Sequence, residues 1–277
     1  MIPQGNHDTS EGQGENSRKD SLHAMASSTD DQFADWVNTL LTAPPTGPTP
    51  RCKIVIISTM RSGSRYFCSC LESTGRFGRP QEYFNPRLLD MLKQRLAGRL
   101  PPPAEYLAML AARTTTPNGV FTVHLHVDHY TAIRQSGTDL LEGHFDRVLA
   151  VRRDDTLAQG LSYAKAMLSD RWNSLATAAR RVTAEDVTDS CLLAALATIT
   201  AWKEFYEARM RSRVHHEYRY EQFATDPVIF RKVLDDCGIQ HTDSTAFETP
   251  LEIQREPADT VRIERFLSTW GLSRSPP

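Results

Sequence analysis

The segment Lys53–Ser58 (KIVIIS) is a continuous run dominated by β-branched residues. A short run that is apolar on both faces is typical of a strand buried within a parallel sheet. Three later segments are also predicted to be strands, and segments with apolar residues at helical spacing separate them. This alternation predicts an α/β fold with a mostly parallel central sheet. The later predicted strands are Gly119–His126, Arg147–Val151 and His216–Tyr220, and the predicted helices are Arg65–Ser73, one through Leu157, Leu161 and Ala164, Cys191–Met210, and one that begins at Asp226-Pro227.

The first 50 residues differ in composition from the rest of the chain. Residues 1–30 are polar and rich in Gly, Ser, Asn, Gln and Asp, which predicts disorder because they bury too little apolar surface to offset the entropy of ordering. Asp31–Thr42 carries its apolar residues on one helical face and is predicted to form a short amphipathic helix. A Pro-rich linker, Ala43–Pro50, ends this helix, so the folded domain is predicted over residues 51–277.

Composition and charge exclude several classes of protein. No stretch of 18 apolar residues exists, so no transmembrane helix is predicted. The absence of an apolar leader and the five scattered cysteines favour a cytoplasmic protein with reduced thiols. The spacing of the cysteines does not match that of a zinc site, so no metal site is predicted. The net charge is −2, but it is uneven: residues 1–50 have two basic and seven acidic residues, a net −5, and residues 51–277 carry a net +3. The mildly basic remainder fits a small polyanionic ligand better than nucleic acid.

The turn after the first strand has the composition of an anion-binding loop. Gly63 permits close approach of the backbone, and Ser62 and Ser64 add hydroxyl donors. Arg61 and Arg65 add positive charge at the start of the following helix, where backbone N–H groups favour an anion. The loop is not a Walker A motif, and on this segment alone an ordinary Gly/Ser turn is an equal alternative.

A second basic pair follows the third strand. Arg152 and Arg153 stand at the carboxyl end of a parallel strand, where α/β proteins bind ligands, and Ser162 follows on the next helix. These residues could hold a phosphate. Neighbouring side chains at a strand end face opposite sides, so the sequence does not decide which arginine points inward. The alternative is a surface cluster of Arg and Asp.

Two further segments contain titratable residues. Glu82 lies in Pro80–Phe84 (PQEYF), where partial desolvation is expected to raise its pKa and suit a general base. The alternative is an exposed loop glutamate. His124 and His126 share one face of the second strand, and two hydrogen-bonded core histidines are an equal alternative to a catalytic role.

These motifs together resemble the bacterial trehalose sulfotransferase family. The resemblance spans roughly residues 51–270, in order and with similar spacing. It lies in KIVIISTMRSGSRYFCSCLESTGRFGRPQEYFNP, VRRDDTLAQGLSYAKAMLSDRW, the helix that contains Trp202, YRYEQFATDPVIFRKVLDDCGI, and a weak match at Gln254-Arg255 to Ala258-Asp259.

The resemblance implies a P-loop-like three-layer α/β/α sulfotransferase. The implied donor is 3′-phosphoadenosine 5′-phosphosulfate (PAPS), which leaves as PAP, and the implied acceptor is a hydroxyl of a carbohydrate, a glycolipid or another small molecule. Donor contacts would come from Arg61, Ser62, Gly63, Ser64, Arg65, Arg152 or Arg153, Ser162 and Arg255. Glu82 would be the general base, Arg61 would stabilise the leaving phosphate, and His124 would assist at the sulfuryl group. A homodimer is plausible on the same grounds.

Two positions depart from the family pattern. Arg65 stands where the family usually has Thr, and His124 where it usually has Lys. These departures leave a catalytically weak PAP-binding protein as the main alternative. A nucleotide-dependent kinase is less favoured, because neither a Walker lysine nor a Mg²⁺ site is evident.

Overall fold

The four predicted strands form one parallel sheet in the computed structural model, which describes residues 29–174, 180–252 and 254–273. Within those residues the sheet order is β2-β1-β3-β4. Each strand pairs with its neighbour in parallel, and Ser58 at the end of β1 lies opposite His126. The α/β fold with a parallel central sheet is therefore confirmed. The strands are β1 (Cys52–Ser58), β2 (Val120–His126), β3 (Arg147–Arg152) and β4 (His216–Arg219).

Helices connect and cover the strands. The predicted helices are present, with ends that differ by one or two residues from the sequence prediction. The helices are α1 (Thr29–Thr42), α2 (Ser64–Glu72), α3 (Pro86–Arg95), α4 (Pro103–Thr114), α5 (Val127–Gln135), α6 (Thr156–Ser169), α7 (Asp189–Arg209), α8 (Tyr220–Phe223), α9 (Val228–Asp236) and α10 (Pro257–Thr269), with short 3₁₀ turns at Ala184–Asp186 and Arg211–Arg213.

The apolar run of β1 is buried on both faces, as its sequence predicts. Val55 and Ile57 point into a core that also contains residues of α1, α3, α4 and α5. Ile54 and Ile56 point into the opposite core, with residues of α2 and α9. Because side chains alternate along the strand, this one segment packs against helices on both faces of the sheet.

The amphipathic helix predicted over Asp31–Thr42 is present as α1. Its residues Phe33, Val37 and Leu40 are buried in the same core as the sheet. Trp36 packs edge-on against Tyr83, with ring centroids 5.5 Å apart. The compact unit therefore includes residues that precede Arg51, because an apolar helical face gains more from the core than from water. The disorder predicted for residues 1–30 falls almost wholly outside the described part of the chain.

The carboxyl ends of β1, β2 and β3 meet at one edge of the sheet, and the loops that follow them bring their side chains together. This edge is where open α/β sheets bind ligands. In the described ranges, no helix is long and apolar enough to cross a membrane.

Candidate active site

A cavity of about 360 Å³ opens at this edge of the sheet. Its volume is within the range of small-molecule sites. Most of the site residues predicted from sequence line this cavity. They are Arg61, Gly63, Ser64, Arg65, Glu82, Arg153, Ser162 and Arg255. The other three, Ser62, His124 and Arg152, do not line it.

The loop between β1 and α2 forms one wall of the cavity. Gly63 has a φ of 83° and immediately precedes α2, so the backbone turns there in the left-handed region that favours glycine. A Cβ on Gly63 would lie 2.4 Å from Cδ2 of Tyr220. Gln159 holds the loop from below, since its side-chain amide donates to the Thr59 hydroxyl at 2.8 Å and to the Met60 carbonyl at 2.7 Å. Sequence reasoning assigned no role to Gln159 or Tyr220.

Arg61 ties three segments together across the cavity. Its Nε donates to the Ser162 hydroxyl at 2.9 Å, and its terminal nitrogens donate to the Trp172 carbonyl and, at 2.8 Å, to Oε1 of Gln254. Burial, followed by the positive charges of Arg153, Arg65 and Arg171, lowers the Arg61 pKa to about 10, so the side chain stays charged at neutral pH. Its φ of 61° is unusual for a non-glycine residue.

The two consecutive arginines point in opposite directions, as alternation along a strand requires. Arg153 faces the cavity, with its guanidinium carbon 4.6 Å from the centre of the Tyr220 ring and its terminal nitrogen donating to the Arg61 carbonyl at 3.3 Å. Arg152 faces away and forms ion pairs with Glu207 at 2.7 Å and Glu217 at 3.3 Å. The inward side chain that the sequence left undecided is therefore Arg153.

Glu82 is nearly buried and is held at both carboxylate oxygens. Oε2 accepts a hydrogen bond from the Asn85 amide at 3.1 Å. Oε1 lies 3.3 Å from a terminal nitrogen of Arg65, 3.6 Å from Nε2 of His126 and 3.9 Å from Nδ1 of His124. The backbone is fixed by a bridge between Gln81 and β2.

The expectation of a raised pKa for Glu82 is wrong. Burial alone would raise the pKa of this carboxyl group, but His126, Arg65 and His124 outweigh burial and hold it well below the usual range. The sequence did not reveal this environment, because Arg65 belongs to α2 and the two histidines belong to β2, and neither element adjoins Glu82 in the chain. Glu82 is therefore ionised at neutral pH, and the same cations that keep it charged make it a weaker proton acceptor than an ordinary carboxylate.

The two histidines of β2 share a single hydroxyl partner. The Ser58 hydroxyl is 2.8 Å from Nε2 of His124 and 2.9 Å from Nδ1 of His126. Burial and the neighbouring His126 lower the pKa of His124 well below its ordinary value. Burial would also lower the pKa of His126, but Glu82 outweighs burial and raises it. Same-face spacing on β2 predicted the histidine pair, whereas Ser58 could be found only through strand register.

Glu82, His124 and His126 offer ligand atoms within 4.8 Å of one another, a spacing that could hold a metal ion. The guanidinium of Arg65 lies against the same Glu82 oxygen and already supplies a positive charge there. The arrangement is that of an ionised carboxylate surrounded by basic side chains, beside the N-terminus of α2, a place where backbone N–H groups favour an anion.

A search of the curated proteins found no significant match to the chain. The model of the Stf0 sulphotransferase family matches residues 53–267, which run from β1 into α10 and make up well over half of the chain. The resemblance inferred from the motifs is thereby confirmed. The chain belongs to the Stf0 sulphotransferase family, the trehalose 2-sulfotransferase family, and is an enzyme that transfers a sulfuryl group.

Proposed function

We propose that the enzyme transfers the sulfuryl group of PAPS to a hydroxyl of a carbohydrate or glycolipid acceptor. The observation that carries the proposal is the presence, in one cavity, of an ionised carboxylate, Glu82, beside an anion-binding loop and an inward arginine, Arg153. A donor with two separated anionic groups and an acceptor that must lose a proton require these three features together.

The residues at the donor end fit a nucleotide with phosphate groups. Gly63 leaves a space that a Cβ would fill, directly before the N-terminus of α2. Arg153 lines the cavity, and its Nε is a buried polar atom that has no hydrogen-bond partner among the described residues. Buried donors of this kind are costly unless a ligand satisfies them. We assign the 5′-phosphosulfate to the loop over residues 61–65, and the 3′-phosphate to Arg153, Ser162 and Arg255.

The donor supplies an activated sulfuryl group, and the protein supplies position and charge. In an in-line transfer the acceptor oxygen bonds to sulfur while the bond from sulfur to the 5′-phosphate breaks. Glu82 receives the proton of the acceptor hydroxyl on a carboxylate oxygen. Arg61 and the loop N–H groups stabilise the negative charge that develops on the leaving phosphate. His124 lies 3.9 Å from Glu82 and does not line the cavity. We therefore assign it a role in supporting the Glu82 carboxylate, and not a contact with the sulfuryl group.

Calorimetric titration with PAP tests the donor assignment, with ATP and Mg²⁺ as the comparison nucleotide. We expect PAP to bind more tightly, because ATP has no 3′-phosphate for Arg153, Ser162 and Arg255. Arg153→Gln should weaken PAP binding by about 10-fold or more, the order of one charge-assisted hydrogen bond of 1.5–3 kcal/mol.

Arg152→Gln is the matched control, because Arg152 is the sequence neighbour but faces Glu207 and Glu217 away from the cavity. It should leave PAP affinity within about twofold of the wild type, within the scatter of additivity for separate sites. Equal losses in the two variants, or no PAP binding by the wild type, would refute the donor assignment.

A further inference from the structure

Three buried side chains at the wall of the cavity converge on one place. Glu82, His124 and His126 each offer one ligand atom, and these atoms lie within 4.8 Å of one another. Oε1 of Glu82 is 3.9 Å from Nδ1 of His124 and 3.6 Å from Nε2 of His126. Both distances are too long for hydrogen bonds. They are close to the separation of about 3.4 Å between two atoms that are each bonded to one tetrahedral zinc ion.

The chemistry of the three atoms indicates which ion would bind. Two imidazole nitrogens and one carboxylate oxygen suit Zn²⁺, whereas Mg²⁺ and Ca²⁺ prefer oxygen ligands alone. Zinc sites with two histidines and one glutamate leave a further coordination position open. Glu82 and His126 line the cavity, which gives an ion a path to the ligands.

Ser58 holds both imidazoles from the side opposite Glu82. Its hydroxyl oxygen is 2.8 Å from Nε2 of His124 and 2.9 Å from Nδ1 of His126. A hydroxyl oxygen has two lone pairs, so it can accept a hydrogen bond from each ring. Both rings are then neutral, and the nitrogen nearer Glu82 is unprotonated in each, as metal binding requires. Histidines that bind metals commonly have their second nitrogen held in this way.

Arg65 competes with an ion for the same carboxylate oxygen. One of its terminal nitrogens lies 3.3 Å from Oε1 of Glu82. A guanidinium and a metal ion at one oxygen repel each other, so the arginine must move when an ion binds. The Arg65 side chain is 33% exposed and has room to move, whereas the Glu82 side chain is only 9% exposed. Arg65 therefore weakens binding of the ion without preventing it.

We propose that Glu82, His124 and His126 form a binding site for Zn²⁺, and that an ion bound there inhibits sulfuryl transfer. Ser58 orients the two imidazoles, and Arg65 opposes the ion. Binding of the ion does not depend on the proposed function. The inhibition does rest on it, because a Glu82 oxygen that binds zinc is not available to accept the proton of the acceptor hydroxyl.

Calorimetric titration of the full chain with Zn²⁺, after treatment with a chelator, tests the site. We expect one ion per chain at the site, and Co²⁺ in place of Zn²⁺ should give the visible absorption of a protein-bound ion. His124→Asn and His126→Asn should each abolish this binding. His129→Asn is the matched control, since its ring packs 5.2 Å from that of His126 but is outside the ligand set. Absence of binding by the wild type, or equal binding by His126→Asn, would overturn the proposal.

Two further comparisons test the residues around the ligands. Ser58→Val should weaken Zn²⁺ binding by about 10–100-fold, the usual effect of losing the partner of a metal-binding histidine. Ser58→Thr has nearly the same shape, keeps the hydroxyl and should bind like the wild type. Equal affinities in the two variants would refute the role of Ser58.

Arg65→Gln should have the opposite effect, because it removes the competing charge. We expect Zn²⁺ affinity to rise by about 10-fold or more, the size of effect that a nearby like charge has on proton binding. The side chain is partly exposed, so this test does not depend on a variant that alters the core. Unchanged or weaker binding would mean that the ion does not use the Glu82 oxygen.

Rates of sulfuryl transfer from PAPS to trehalose, measured with and without Zn²⁺, test the inhibition. The wild type should lose activity as the site fills, and Arg65→Gln should do so at a lower Zn²⁺ concentration. Binding of Zn²⁺ without loss of activity would count against Glu82 as the base and leave the metal site standing. Absence of Zn²⁺ binding, with normal binding of PAP, would count against the metal site alone.

Discussion

Glu82 has an environment that favours its charged form, and this determines what its substitution should do. Glu82→Gln keeps the shape of the side chain but removes the proton acceptor. We expect kcat to fall by about 10²–10⁴-fold, the usual contribution of a general base, with PAP affinity little changed. Rates of sulfuryl transfer from PAPS to trehalose, used as the test acceptor, measure the effect.

Glu72→Gln is the control for loss of a partly buried carboxylate. Glu72 accepts a hydrogen bond from the Gln81 side chain at 2.7 Å and does not line the cavity. Its substitution should leave kcat close to that of the wild type. A Glu82→Gln enzyme within twofold of wild-type activity would mean that another group accepts the proton.

Gly63 is the residue at which the backbone of the donor loop is most constrained. Gly63→Ala places a Cβ 2.4 Å from Cδ2 of Tyr220, in a left-handed conformation that costs about 1–2 kcal/mol for other residues. Tyr220 must then move, and Arg153 packs on its ring. We expect lower stability in urea unfolding together with weaker PAP binding.

Gly75→Ala separates these two effects. Gly75 also has a positive φ, 63°, but nothing lies within 4 Å of the position its Cβ would take. This variant should lose stability from backbone strain and still bind PAP like the wild type. If both alanine variants bind PAP equally well, close packing of Tyr220 on the loop does not control donor affinity.

At the scale of helices and strands, local periodicity was sufficient to predict most of the fold. The run Lys53–Ser58 and the alternating segments found all four strands, because burial of β-branched residues is a local signal. The direction of Arg61 was not predictable, since its partners Ser162, Trp172 and Gln254 come from remote segments. The lowered pKa of Glu82 was missed for the same reason.

Helix α1 supplies a test of packing at this scale. Leu40 is fully buried in the main core, so Leu40→Ala should lower the free energy of unfolding by about 2–5 kcal/mol, through lost burial and a cavity. Asn38 is exposed on the same helix, and Asn38→Ala should change stability by no more than about 0.5 kcal/mol. Urea unfolding measures both. A small effect of Leu40→Ala would show that α1 adds little to the stability of the core.

At the scale of the whole molecule, the donor site is linked to the pH dependence of folding through Lys203 of α7. Its ammonium group donates to the Arg153 carbonyl at 2.6 Å and to the Thr156 hydroxyl at 2.7 Å, behind the turn that presents Arg153. Burial, followed by the positive charge of Arg152, lowers the Lys203 pKa from 10.5 to about 8. At neutral pH the folded protein therefore contains a buried positive charge, which opposes folding but holds the turn that presents Arg153.

Lys203→Met should make this cost visible as a function of pH. Below pH 8 the amine is charged in both states, and burial opposes folding in full. Between about pH 8 and 10.5 the unfolded chain keeps the proton that the folded chain releases, so this group makes the wild type more stable as pH rises. The variant lacks the group, whereas tyrosines and cysteines titrate alike in both proteins and cancel in the difference. Urea unfolding from pH 7.5 to 9.5 should therefore give a wild-type stability that rises relative to the variant. Parallel pH profiles would mean that the pKa of Lys203 is not lowered in the folded protein. Burial of its ammonium group would then not oppose folding.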